Sequence, residues 1–271
     1  MFSQPLRRVR ETRPIIHSIT NYVTANDCAN ILLAAGASPI MSDDPAEAED
    51  IASLASGLNF NLGTLNDSKL RAMLIAGKRA NELRRPVVLD PVGAGSSCHR
   101  TEAARRLCRD IRFSVIRCNL SEIKALAGSS SRSGGVDAAA SDRMPSDLDG
   151  VIELVRTYAA RLGTVLTVTG STDIVTDGER VLLIKNGHPM MSSVTGTGCQ
   201  LSALTAAFAA ASDDMLIAAA AAAAAMGVCG ELAHKRLLPG EGSGTYRTRI
   251  IDAVYNLTPE ILMEHAKYEI R

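Results

Sequence analysis

The sequence predicts an α/β fold with a mostly parallel sheet covered by helices. Three observations carry this. Short apolar runs alternate with helical patterns along most of the chain, the rhythm of repeated strand–turn–helix units. Polar residues recur just after the apolar runs, at Asp90, Asn119, Glu122 and Thr169, where open parallel sheets form their ligand crevice. No internal repeat and no boundary splits the 271 residues, so residues 1–271 are expected to form a single domain.

The elements follow in order. Residues 15–19 are a short apolar segment containing His17, expected to be a structural histidine on a strand. A helix is expected over 24–35, stopped by Gly36, and a short strand over 38–41. The acidic run 43–50 leads into a helix over 46–54, whose positive N-terminal dipole it suits. A strand over 58–62 and an amphipathic helix over 67–84 come next, the basic stretch 78–85 reading as a solvated helix end. An apolar run over 86–89 ends at Asp90-Pro91; a helix over 101–109, a strand over 114–117 and a helix over 121–127 capped by Ser121 follow. Residues 128–150 are rich in Gly, Ser and Asp, with one apolar cluster at 136–140, and read as a surface excursion. The rhythm resumes with a helix over 151–162 and a strand over 164–168; 174–176 and 181–185 flank Asp177-Gly178, a hairpin signal. Helices dominate from Gly198 onward.

Composition excludes several functions. The chain has 29 basic and 29 acidic residues, which argues against an electrostatic nucleic-acid binder. Aromatics are 3% and Trp is absent, so no base-stacking platform is expected. The six cysteines form no C-x-x-C pair, which argues against zinc and against a disulfide framework. The first residues carry no apolar signal-peptide core; a cytoplasmic protein with reduced thiols is expected. The alanine-rich run over 215–230 is shorter than a membrane span and is expected to be a core helix.

Three segments carry chemistry. In Thr195-Gly196-Thr197-Gly198-Cys199 two glycines precede a long apolar helical run. Such a turn brings backbone N–H groups inward, and the helix N-terminus adds positive potential, together an anion hole at Gly196, Thr197 and Gly198. Cys199 would sit where a thiolate is favoured. The plainer reading is an ordinary glycine turn with a buried cysteine. In Arg117-Cys118-Asn119-Leu120-Ser121-Glu122, Asn119 and Glu122 can project to one side. They suit a hydrated Mg²⁺ beside phosphates, or equally a capped helix start. In Val87-Val88-Leu89-Asp90-Pro91-Val92-Gly93-Ala94-Gly95, Asp90 is either a second metal-side carboxylate or the start of a turn. Met41 is either core or the lining of an apolar pocket.

The segments HSITNYVTAND at 17–27, GASPIM at 36–41, LDPVGAG at 89–95, RCNLSE at 117–122, VTGSTDIVTDG at 168–178 and TGTGC at 195–199 stand in this order. The chain thereby resembles the hydroxyethylthiazole kinase family of the ribokinase-like superfamily. The resemblance implies a mostly parallel sheet with helices on both faces. It implies phosphorylation of 4-methyl-5-(2-hydroxyethyl)thiazole by ATP with Mg²⁺ in thiamine salvage. Arg117 and Thr169 match ATP contacts, Met41 and Gly196 thiazole contacts, and Asp90 and Glu122 the magnesium-side acids. Cys199 stands where most ribokinase-like enzymes carry an Asp base. The resemblance also implies a homotrimer with sites between subunits, and no nucleic-acid or membrane partner is expected. Segment 128–150 does not match well. A dehydratase repairing hydrated NAD(P)H, a hydroxymethylpyrimidine or pyridoxal kinase, and an inactive binding subunit are the alternatives. Cys199 argues against the first, the 17–27 segment and the compact length against the second, and the intact set Asp90, Glu122, Gly196 and Gly198 against the third.

Overall fold

A computed structural model describes residues 1–128 and 148–271; the apolar cluster expected at 136–140 lies outside the described residues. Among the described residues nine strands form one sheet: β1 Ile15–Ile19, β2 Ser38–Ile40, β3 Gly57–Asn61, β4 Val87–Asp90, β5 Val115–Asn119, β6 Val165–Thr169, β7 Asp173–Thr176, β8 Val181–Ile184 and β9 Tyr268–Ile270. Their order is β2-β1-β3-β4-β5-β6-β7-β8-β9. Pairing is parallel from β2 across to β6 and antiparallel from β6 to β9. The expected mostly parallel sheet is therefore present.

Strands such as β4, Val87–Asp90, and β8, Val181–Ile184, carry continuous apolar runs because both faces of the sheet are covered. Val88, Val115 and Val165 point to one core, while Leu89, Ile116 and Leu166 point to the other, the two-residue alternation of a strand. On the first face lie α1 Ser3–Thr12, α2 Ala25–Ala35, α8 Thr197–Ala210, α9 Met215–Lys235, α10 Ser243–Tyr255 and α11 Pro259–His265. On the second lie α3 Ala48–Leu54, α4 Asp67–Glu82, α5 Cys98–Asp110, α6 Leu120–Leu126 and α7 Leu148–Leu162.

Local chemistry fixes the ends. Gly36 closes α2 with φ +98°, a left-handed conformation that suits glycine. The expected helix at 46–54 begins later, at Ala48, and that at 101–109 begins earlier, because the Ser97 side chain accepts from Arg100 N. The cap of α6 is Asn119, not Ser121; its side chain accepts from Glu122 N while the Glu122 carboxylate accepts from Asn119 N, a reciprocal capping box.

The alanine-rich run is longer than expected. α9 continues to Lys235 and, among the described residues, is the one helix long and apolar enough to cross a membrane by length and composition. Residues Leu216 and Ala218 through Gly230 are nevertheless buried in this fold. Small side chains let neighbours approach: a Cβ on Gly227 would stand 2.7 Å from the Asn186 backbone.

Candidate active site

The carboxyl ends of β1, β3, β4, β5 and β6 open toward the N-terminus of α8. The parallel register places Asn61 beside Asp90 and Asn119 beside Thr169. Polar residues that are far apart in sequence thus meet on one rim.

The glycine turn is built against this rim. Gly196 has φ +89°, and a Cβ there would stand 2.4 Å from Thr24 Cγ2. A Cβ on Gly198 would stand 2.5 Å from Arg117 Nη1. Gly196 therefore requires glycine, and a side chain at Gly198 would displace the Arg117 guanidinium. The first intrahelical bond of α8 runs from Gln200 N to Gly196 O, so the amides of Thr197, Gly198 and Cys199 precede the bonded ladder. These are the unpaired N–H groups and the positive dipole end that attract anions.

Opposite the turn stands a buried charged cluster. Asp90 Oδ2 accepts from Ser202 Oγ at 2.7 Å and from Asn61 Nδ2 at 2.9 Å, and lies 3.6 Å from Arg117 Nη1. Arg117 Nη2 donates to Thr169 Oγ1 at 2.8 Å. Burial works against the Arg117 charge, but Asp90 and Glu122 outweigh it and hold its pKa above the ordinary value. Glu122 Oε1 accepts from Gly93 N at 2.9 Å and Oε2 from Asn119 N at 3.0 Å. Burial first, then the Asp90 charge, push its carboxyl up to about 7. Burial likewise raises Asp90, against the pull of Arg117.

A divalent cation fits this arrangement. Asp90 stands near enough to the buried Glu122 carboxyl to raise it, and Asp90 Oδ1 is buried without a hydrogen-bond partner. Arg117 Nε is likewise buried and unpartnered, a donor at the same site. Among the described residues no group of three or more His, Cys, Asp or Glu side chains is placed to ligate a metal. A cation here would rely on one or two carboxylates, water and phosphate oxygens, the manner of Mg²⁺.

Cys199, third residue of α8, faces the other side of the crevice. Its Sγ accepts from Asn61 Nδ2 at 3.2 Å and from Asn21 Nδ2 at 3.4 Å. The favoured thiolate expected at a helix N-terminus needs correction: burial, then Asp90, raise the thiol, against smaller lowering effects of Thr24, Arg117 and Asn61. Desolvation outweighs the dipole here.

The structure thus brings together Asp90, Arg117, Glu122, Thr169, Gly196, Thr197, Gly198 and Cys199. It does not bring in Met41, which lies just past edge strand β2 and is 37% exposed; among the described contacts none joins it to the cluster. His17 is a buried strand residue whose Nε2 meets Ser42 O at 3.0 Å, as expected of a structural histidine. Asn21, Asn61, Thr24 and Ser202 are site residues that the sequence reading did not single out. Asn61 ends a strand as Asp90 does, so the strand-end rule could have found it.

The model of the hydroxyethylthiazole kinase family matches residues 6–260. A hydroxyethylthiazole kinase of Clostridium acetobutylicum is 49% identical over 271 residues, covering 99% of each chain. A solved hydroxyethylthiazole kinase structure from Pyrococcus horikoshii OT3 superposes with TM-score 0.89 at 34% identity, covering 100% of this chain and 98% of that one. A ribokinase-like superfamily protein from Enterococcus faecalis, 12% identical with TM-score 0.60 over 93% of this chain and 87% of that one, shares the fold alone. With the family's match running from α1 to α11 on a ribokinase-like sheet, the chain belongs to the hydroxyethylthiazole kinase family.

Proposed function

We propose that the protein transfers the γ-phosphoryl group of ATP to the side-chain hydroxyl of 4-methyl-5-(2-hydroxyethyl)thiazole, in thiamine salvage. The observation that carries this reading is the meeting of three features in one crevice: the glycine turn at the start of α8, the Asp90–Arg117 pair, and Cys199. Phosphoryl transfer depends chiefly on positioning and electrostatics, and this crevice supplies both.

The amides of Thr197 and Gly198 receive the transferring phosphoryl group, and Arg117 adds positive charge beside it. Thr169, which accepts from Arg117, lies on the ATP side. Asp90 and Glu122 are the residues that would hold Mg²⁺, which would supply neutralising charge to the phosphates. Met41 and Gly196 contact the thiazole. The acceptor oxygen forms its bond to the γ-phosphorus as the bond to the β-bridging oxygen breaks and ADP leaves. Cys199 in its thiolate form takes the hydroxyl proton and becomes the thiol. The proton moves late in a loose transition state, so a small thiolate fraction suffices.

The family match across 6–260 does not favour the dehydratase or the other vitamin kinases. The deciding assay offers purified protein Mg-ATP with the thiazole alcohol, hydroxymethylpyrimidine or pyridoxal, and identifies phosphorylated product by mass. Preferential turnover of the thiazole alcohol is expected; equal or better turnover of a competitor overturns the reading.

The chain reads further as one domain acting in the cytoplasm on small molecules, without nucleic-acid or membrane partners. A homotrimer with sites between subunits accounts for Met41, which its own chain leaves outside the cluster. Exposed Tyr22 and Val23 lie on the same rim. Light scattering of the active protein should show a trimer, and a fully active monomer would contradict shared sites.

A further inference from the structure

Two buried carboxamides converge on one sulfur. Asn21 follows β1 and Asn61 ends β3, and both are nearly or fully buried. Their orientations are set by the backbone. Thr24 N donates to Asn21 Oδ1 at 3.0 Å, and Gly63 N donates to Asn61 Oδ1 at 2.9 Å. A backbone N–H can meet only the carbonyl oxygen of a carboxamide, so each NH₂ group must point the other way. Both then point to Cys199 Sγ, at 3.4 Å and 3.2 Å. The second hydrogens are used as well, by Asn61 Oδ1 for Asn21 and by Asp90 Oδ2 for Asn61.

The surroundings hold the pair in place. A Cβ on Gly63 would stand 2.7 Å from Asn21 Cβ, so glycine makes room for the amide. The fully buried Lys69 donates to Thr20 O at 2.7 Å and to Thr64 Oγ1 at 3.2 Å, tying the two amide-bearing loops together. Sulfur is a weak acceptor, and burying an amide is costly unless it is well bonded. Two oriented donors on one sulfur are therefore a specific arrangement and not generic packing.

We infer that Asn21 and Asn61 are positioning residues, an amide clamp that fixes the Cys199 sulfur as a hydrogen-bond acceptor facing the crevice. The inference rests on the reading of Cys199 as proton acceptor in phosphoryl transfer. The clamp makes and breaks no covalent bond. It holds the sulfur with its remaining lone-pair direction toward the acceptor hydroxyl. It also explains how this position can hold either a cysteine or a carboxylate, since both accept from two N–H donors.

The cleaner arm is Asn21, which does not touch Asp90. Asn21→Asp keeps an oxygen for Thr24 N and turns the other donor into an acceptor facing the sulfur. Its kcat for the thiazole alcohol should fall by about tenfold or more, with the KM for ATP changed by less than about twofold. Independently of activity, alkylation of Cys199 by iodoacetamide without substrates, read by mass at that residue, should slow by about fivefold or more, as expected of a less nucleophilic sulfur. Asn21→Ser, which keeps a short acceptor for Thr24 N but cannot reach the sulfur, should shift both readings in the same direction. Thermal melts select whichever variant is folded. Unchanged alkylation in the folded variants overturns the clamp, whether or not kcat falls. Slowed alkylation in a protein that does not phosphorylate the thiazole alcohol leaves the clamp standing and removes the proposed reaction instead.

Discussion

The crevice has two unlike halves. The phosphate half, at the ends of β4, β5 and β6, is charged: Asp90, Arg117 and Glu122 are buried together and shift one another's ionisation. The acceptor half, at the ends of β1 and β3, bonds Cys199 through neutral groups, the Asn21 and Asn61 carboxamides and the Thr24 hydroxyl, while its buried Lys69 cation bonds Thr20 O and Thr64 Oγ1 instead. The difference teaches where charge is needed. Polyphosphate and its cation demand full charges in a water-poor site, whereas an uncharged alcohol needs only placement. Asn61 joins the halves, donating to Asp90 on one side and to Cys199 on the other.

The strongest way to break the charged half is Arg117→Met. It removes the cation from buried Asp90 and the donor to Thr169. Loss of one preorganised charge at a phosphoryl site is expected to cost about 100- to 1000-fold in kcat/KM for ATP. Stranding the Asp90 carboxylate should also destabilise the fold by about 3–5 kcal/mol if it stays ionised, less if it protonates. Steady-state kinetics and urea unfolding read the two effects separately. ATP kinetics near wild type would remove Arg117 from the nucleotide side.

At the seam, Cys199→Ser should slow turnover by about 10- to 100-fold, since a serine hydroxyl does not ionise and accepts a proton poorly. Cys199→Asp should keep or increase turnover, because a carboxylate can accept from both Asn21 and Asn61 and is the better base. An inactive Cys199→Asp beside a fully active Cys199→Ser would mean that the residue serves packing.

Glu122→Gln sharpens the contrast from within the charged half. Both Glu122 oxygens accept backbone N–H groups, from Gly93 and Asn119. Glutamine keeps one acceptor, so the cap should weaken by about 1 kcal/mol. The magnesium requirement should rise by about tenfold, a typical cost for a cation's supporting group. A magnesium titration that superposes on wild type would leave Glu122 as a cap only.

How much of this was legible follows the same division. The strand–helix rhythm came through because burial on both faces leaves continuous apolar runs such as Val87-Val88-Leu89. The charged half came through because Asp90, Arg117 and Glu122 are costly residues beside apolar strands. In the acceptor half Cys199 came through with its glycine turn, but the Asn21–Asn61 pair did not, because the two lie 40 residues apart and meet only through the β1–β3 pairing. Asn61 is a strand end that the rule for Asp90 also covers, whereas Asn21, in the turn past β1, carries no signature of its own. Of the two readings of the Glu122 motif the structure shows the cap; the magnesium-side role is what the titration above tests. α1 and β9 were missed. The Arg-rich N-terminal segment shows only three buried positions, Pro5, Leu6 and Val9. A three-residue edge strand lacks any period to read.

The smallest expected effect comes from a structural residue outside both halves. His17 is a buried base on β1, with Nε2 donating to Ser42 O. Nδ1 has no partner, so nothing stabilises a second proton there. Burial lowers its pKa below 6.5, against smaller raising effects of the Ser42 bond and Glu47. The unfolded chain therefore binds a proton below pH 6.5 that the folded chain refuses. Stability from this residue is fully present above that value and falls as pH drops through it, until the folded pKa is reached. The slope is at most about 1.4 kcal/mol per pH unit for one proton. Raised carboxyls such as Glu122 give the opposite slope, so the comparison must be between wild type and His17→Gln across pH 7.5 to 5.5. Glutamine preserves a donor for Ser42 O without titrating. The stability difference between the two proteins should shift in favour of the variant as pH falls. A pH-independent difference would mean that His17 accepts its proton in place in the folded chain.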